Sequence, residues 1–254
     1  MQIRVFYPFI KKFAPFVVTA IIILFLYKYY GALEYTIKNL SEFFRLTYEH
    51  FFLVIVSMAA AVSIGVGLGT IMTRKGFERF SSAIMAIVNV WQSIPSLGVI
   101  ALAYGFLPLL GLSGIGVVPA LIALFFHAVA PIVRNTYAGI QGVSADVIEA
   151  ATGMGMTPNQ ILFRIEIPNA LPIIMGGIRT ATAIIVGSAP LAFLIGGGGL
   201  GFWIFTGIAL MDMGIMMAGA VPVALIAMLF DYLLARLEKI MVSEGIQAEE
   251  YQEV

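Results

Sequence analysis

The chain has 254 residues, of which 61% are hydrophobic and 11% charged, a composition that excludes an ordinary soluble domain and puts the chain in a membrane. Fourteen basic and fourteen acidic residues cancel, which excludes a nucleic-acid footprint and a polybasic lipid anchor. With no cysteine and two histidines, His50 and His127, no disulfide framework, metal site or thiol nucleophile is expected, and no catalytic residue is assigned.

A membrane-spanning helix needs about 20 mostly apolar residues, so the gaps between charges divide the chain. They predict about six spans, near 13–28, 51–73, 81–104, 117–134, 173–195 and 214–235, in one transmembrane domain over 1–240. The first is bracketed by Lys12 and Lys28, whose stems can snorkel. No A-x-A-like site follows it, so it reads as an uncleaved anchor. Between the first two spans, Glu34 to Glu49 mixes charges with Leu40, Phe43, Phe44 and Leu46; it reads as an amphipathic interfacial helix or, equally, a solvated connector. No charge occurs between Arg79 and Arg134, which suits a hairpin of two spans broken near Pro108, Gly111, Gly114 and Gly116.

Further along, the run Gly196 to Gly199 reads as a flexible turn in preference to an extracellular gate, with Asp212 at its outer far end. Residues 241–254 carry Glu244, Glu249, Glu250 and Glu253 with little to bury and read as an acidic, disordered tail. Six spans put both termini on one side. The basic residues on that side, among them Lys11, Lys12, Arg74, Lys75, Arg79, Arg134, Arg164, Arg179 and Arg236, make it cytosolic, as in a multi-pass protein of the cell membrane.

One long polar segment, 140–170, interrupts the apolar region, and it reads as two short helices. Ser144 caps the first, Asp146 and Glu149 occupy its early turns, and Gly153 and Gly155 can end it. Thr157 starts the second, with Pro158 at its first position and Gln160 at capping-box spacing. Pro168 and Pro172 are expected to stop it before the fifth span.

Within this segment, Glu149-Ala150-Ala151, three residues, Gly155, nine residues, Ile165, one residue, Ile167 and Pro168 resembles the EAA loop of binding-protein-dependent ABC importer permeases. The departure is Ile167, where the family usually has Leu. The resemblance implies the all-α, polytopic type I permease fold, with a cytosolic hairpin inserted into a groove of a separate ATPase. It makes Glu149, Ala150, Ala151, Gly155, Ile165 and Pro168 the coupling residues. It also implies two ATPase subunits, which hold the ATP and Mg2+, so that this chain carries no cofactor. A second permease, identical or different, and an extracytoplasmic substrate-binding protein complete the partners, in a setting of membrane lipid and no nucleic acid.

Further strings, Gln92 to Leu97, Gly153 to Thr157, Ile178 to Thr182 and Ile195 to Gly201, are similar to permeases for glycine betaine, carnitine and choline; the likeness covers about 45–240. A methionine-type amino-acid importer is the alternative within the class. A secondary transporter or channel is the alternative outside it. Yet Phe51 to Thr73, Phe80 to Val133 and Thr180 to Met211 hold no acidic or basic residue apart from His127, which leaves charge coupling little to work with. Gln92, Ser93, Thr180 and Ser188 are candidates for the translocation path, with helix–helix or own-backbone hydrogen bonding as the competing role. His127 reads as a buried hydrogen-bonding residue in preference to a gate.

Overall fold

A computed structural model describes residues 21–242; positions 13–20 of the first predicted span and 243–254 of the predicted tail lie outside them. Residues 21–29 are helical. There follow α1 (Ala32–Lys38), α2 (Leu40–Met72), α3 (Glu78–Gln92), α4 (Ser96–Phe106), α5 (Val117–Gln141), α6 (Ala145–Gly153), α7 (Pro158–Ile161), α8 (Ile167–Ser188), α9 (Gly201–Leu210) and α10 (Met213–Met241). Among the described residues there is no strand, and the fold is all-α, that of a polytopic membrane protein. Four helical runs are long and apolar enough to cross a membrane, Leu40–Met72, Val117–Gln141, Pro158–Ile195 and Met213–Met241; the bent pair Arg79–Gln92 and Ser96–Leu110 makes a fifth candidate.

Four local expectations are corrected. Glu34 to Glu49 is neither one interfacial helix nor a connector: α1 ends at Lys38, and Leu40 begins a 33-residue helix that runs without a break into the apolar span. Burial explains the continuity, because Leu46, His50 and Leu53 are all nearly inaccessible and their spacing puts them on one core-facing stripe. The predicted span 81–104 is bent by 106° between α3 and α4. Pro95 has no N–H to donate and biases Ile94 away from the helical region, so the chain turns at 93–95 and restarts at Ser96.

Pro168 and Pro172, in turn, do not stop the second hairpin helix. It passes from α7 through a π turn, Leu162–Glu166, into α8. The π turn widens the ladder just before Pro168, relieving the ring–carbonyl clash of a regular α-helix, and Asn169 Nδ2 donates to the Ile165 carbonyl at 2.7 Å. Last, the stretch between Gly199 and Asp212 is not turn throughout, since it contains α9. Asp212 accepts from the Ile215 N–H at 3.0 Å and caps α10.

The core sits where α5 packs against α2 on one side and α8 on the other. Lipid offers helices no hydrophobic gain from pairing, so close backbone approach through small residues supplies the contact energy. A Cβ on Gly65 would lie 2.8 Å from Ile132 Cγ2, and one on Gly69 2.7 Å from Thr136 Cβ and 2.9 Å from the Val133 carbonyl. On the far side of α5, a Cβ on Gly177 would lie 2.6 Å from Asn135 Cβ. The three helices are thereby keyed into one body.

Candidate functional site

The polar hairpin is built by local bonds that its sequence prescribes. Ser144 stands at the N-cap of α6 but makes no side-chain capping bond; its carbonyl accepts from Ile148 N instead, at 3.3 Å. At the other end Gly155 has φ +80. Its N–H donates to the Thr152 carbonyl at 2.9 Å, and Met156 N–H to the Ala151 carbonyl at 3.1 Å. This bond pair is a Schellman ending with glycine in the left-handed position. Thr157 then opens α7 with both bonds of a capping box: Gln160 N–H donates to Thr157 Oγ1 and Thr157 N–H to Gln160 Oε1, the latter at 2.8 Å.

The six candidate coupling residues do not share one environment. Glu149, Ala150 and Gly155 are exposed, whereas Ala151 is buried, and Ile165 and Pro168 are half-buried at the hairpin's base. Ala150 is thus open to a partner, while Ala151 is small because the hairpin closes over it. A Cβ on Gly155 would meet nothing within 4 Å, so conformation and not space demands glycine there. Gly155→Ala is therefore expected to lose about 1–2 kcal/mol of hairpin stability, and Gly155→Asn much less, since Asn tolerates the left-handed region. Amide exchange over 151–157 reads the difference, and equal protection in the two variants would remove the conformational argument.

Sequence reading missed two features here. Val147, Met154 and Phe163 are large, apolar and exposed, and Val147, Ala150 and Met154 fall on one face of α6 at i, i+3, i+7. The signal was present as apolar residues in an otherwise polar segment. The second is Glu166, buried in the π turn and paired with Arg74 through Arg74 Nη2 and Glu166 Oε2 at 2.6 Å. Arg74 follows the last turn of α2, 92 residues away in sequence, and no local pattern links the two.

Of the path candidates, Gln92 and Ser93 lie exposed at the bend between α3 and α4. Gln92 Oε1 accepts from Arg134 Nη1 at 3.4 Å, and Ser93 Oγ donates to the Asn89 carbonyl at 3.2 Å. Polar groups at a break inside an apolar region face protein or water, not lipid. Thr180 and Ser188 sit apart on α8 and bond their own helix: Thr180 Oγ1 donates to the Gly176 carbonyl at 2.9 Å, and Ser188 Oγ to the Ile184 carbonyl at 2.7 Å. His127 is half-buried in α5. Also on α8, Arg179 is shared between two α10 carboxylates, at 2.8 Å from Asp231 Oδ1 and 3.1 Å from Glu238 Oε2. Among the described residues no group of three metal-ligating side chains occurs.

At the opposite end of α2 the glycine run is a held turn. Gly198 and Gly199 have φ +79 and +82, and the Gly199 N–H donates to Glu49 Oε2 at 2.9 Å. Glu49 also pairs with Arg45 at 2.6 Å. Two turns earlier on α2, Glu42 Oε2 accepts from the indole N–H of Trp203 at 3.0 Å. That tryptophan is fully buried, stacked on Phe43 and edge-on to Tyr35. The expected flexibility of the run is therefore corrected: a carboxylate from another helix fixes it.

The family model described as "Binding-protein-dependent transport system inner membrane component" matches residues 65–242. The chain is 43% identical over 209 residues to the Choline transport system permease protein OpuBB of Bacillus subtilis (strain 168), covering 82% of this chain and 93% of that protein. It is 42% identical to the Glycine betaine/carnitine/choline transport system permease protein OpuCB of the same organism, with the same coverage. It is 42% identical to the Osmoprotectant import permease protein OsmY of Salmonella typhimurium, covering 89% of this chain and 93% of that one. Among solved structures, a chain of the MetNI methionine ABC transporter in an inward-facing conformation superposes with a TM-score of 0.70 at 24% identity, covering 80% of this chain and 98% of its own. At that identity the likeness speaks for the fold alone.

Proposed function

The chain belongs to the family of binding-protein-dependent inner-membrane transport components, and from that premise we propose that it carries a small osmoprotectant of the glycine betaine, carnitine or choline class, driven by a separate ATPase seated on the hairpin 144–168. The chain is a transport subunit of an ABC importer; ATP hydrolysis belongs to the partner, with ATP and Mg2+ bound there and no cofactor in this chain. Two ATPase subunits, a second permease and an extracytoplasmic binding protein complete the assembly. The hairpin end of the molecule, rich in Arg74, Arg79, Arg164 and Arg179, faces the cytosol, as do both termini.

The observation that carries the substrate reading is the identity of 42–43% to permeases named for choline, glycine betaine, carnitine and osmoprotectants. The methionine alternative has only the fold likeness behind it. Docking at the hairpin is supported by the exposed apolar face of α6 beside the carboxylates of Asp146 and Glu149, on a turn held by the Gly155 ending and the Thr157 capping box. In the same reading, Gln92 and Ser93 border the path at the α3–α4 bend, while Thr180 and Ser188 contribute through α8. The permease domain covers 1–240, with 241–254 as a tail.

The test is uptake of labelled glycine betaine by proteoliposomes holding the permease with the ATPase and binding protein that co-purify with it. Uptake is expected to stop when ATP is removed and to be competed by carnitine or choline. Uptake that persists without ATP, or that methionine alone competes, overturns the reading.

A further inference from the structure

The hairpin and the glycine turn are joined covalently by the run from Pro158 to Ile195, and that run is soft at both ends. Near the hairpin it passes through the π turn, Leu162–Glu166, immediately ahead of Pro168; near the turn it loosens into a 3-10 stretch, Ala189–Ile195. Both geometries have poorer hydrogen bonding than an α-helix and mark places where a helix yields. A force applied at the hairpin would be spent bending these joints unless something bridges them.

One element bridges both. α2 has 33 residues and no internal proline, so it is a rod of about 50 Å, and Gly65 and Gly69 key it into α5 at separations that leave it no room to slide. At its hairpin end a chain of bonds leads out of the last turn. Thr73 Oγ1 donates to the Thr70 carbonyl at 2.7 Å and accepts from Arg74 Nε at 3.0 Å, and Arg74 grips Glu166 inside the π turn. At its other end Glu49 holds Gly199, four residues beyond the 3-10 stretch, and Glu42 holds Trp203 on α9. A Cβ on Gly198 would lie 2.5 Å from Glu49 Oε2, so glycine at 198 is what lets the carboxylate reach the turn.

We propose that α2 is the strut that carries displacement of the hairpin to the glycine turn, with Arg74–Glu166 clamping the π turn itself and Glu49–Gly199 taking hold beyond the 3-10 stretch. Arg74, Glu166 and Glu49 are positioning residues: they touch no substrate and act through the elements they hold. The proposal rests on the hairpin being the ATPase's docking point.

The test uses the complete transporter in proteoliposomes and exploits a chain with no cysteine of its own. Val117 is exposed and lines a cleft of about 340 Å³ with Arg45, Glu49 and Gly196 to Gly198, so Val117→Cys reports on the turn through its rate of modification by a membrane-impermeant maleimide. In the parent that rate is expected to change on adding ATP. In Glu166→Gln, which keeps side-chain shape, and in Arg74→Gln, ATPase turnover should continue while the ATP-dependent change disappears and uptake falls about tenfold or more, the scale of a lost coupling between sites. The exchanged pair Arg74→Glu with Glu166→Arg should restore both readouts in part, which a generally damaged fold would not allow. If Glu166→Gln keeps full uptake and the ATP-dependent change, the strut is refuted. If the parent itself fails to retain an ATPase, the docking reading has failed instead.

Discussion

Gly69→Leu is expected to remove most of the folded permease from the membrane, whereas Gly67→Leu, two residues away on the same helix, is expected to leave it intact. A side chain at 69 would drive into Thr136 and the Val133 carbonyl, and the latter is backbone of α5 that cannot rotate aside; at 67 a Cβ meets nothing within 4 Å. Inserting even small groups into a close-packed contact costs about 1–3 kcal/mol, and leucine at a backbone-to-backbone approach stands at or above the top of that range. Gly67→Leu, by contrast, replaces a poor helix former with a good one, worth about 0.8–1 kcal/mol in favour. Yield of each variant after membrane extraction, together with its thermal unfolding in detergent, separates the two. Equal behaviour would mean that the α2–α5 contact does not hold the fold.

The paired substitution Val147→Asp with Met154→Asp should detach the ATPase without disturbing the permease. Met154 is 74% exposed and Val147 43%, so neither supports the hairpin, whose bonds run through Ala151, Thr152, Gly155, Met156 and the Thr157–Gln160 box. Buried anchors at an interface typically carry about 2 kcal/mol or more each, so charging one should weaken association about 30-fold and charging both by more than that. Retention of the ATPase on the immobilised permease measures this. Undiminished retention would place the contact elsewhere on the chain and leave the apolar face of α6 without a role.

The hairpin itself was legible because its determinants are local. A cap, a proline at the first helical position, a glutamine three residues on and a glycine at a left-handed ending act on their nearest neighbours, and the Thr157 box and the Gly155 ending follow directly. Local rules also misjudged the same segment where the tertiary setting decided otherwise. Pro168 and Pro172 ordinarily end a helix, yet a π turn absorbs the first and α8 continues through the second. Ala150 and Ala151 look interchangeable in the motif, and only the packing of α6 shows that one faces outward and the other inward. Likewise Glu42 and Glu49 fall in a stretch that reads equally as an interfacial helix or a connector, because nothing in their surroundings hints that Trp203 and Gly199 lie against them.

Composition and the spacing of charges by themselves determined that this chain lives in a membrane, that it is helical, and that one polar hairpin stands apart from the apolar body. These are properties of hydropathy and of bonds within a few residues, and such terms are summed along the chain. The keying of Gly69 against Thr136 and the pairing of Arg74 with Glu166 across 92 residues were decided only by the tertiary structure. A residue's periodicity says which face of its helix it occupies. Which helix meets that face, and at what height, depends on the joint packing of all of them.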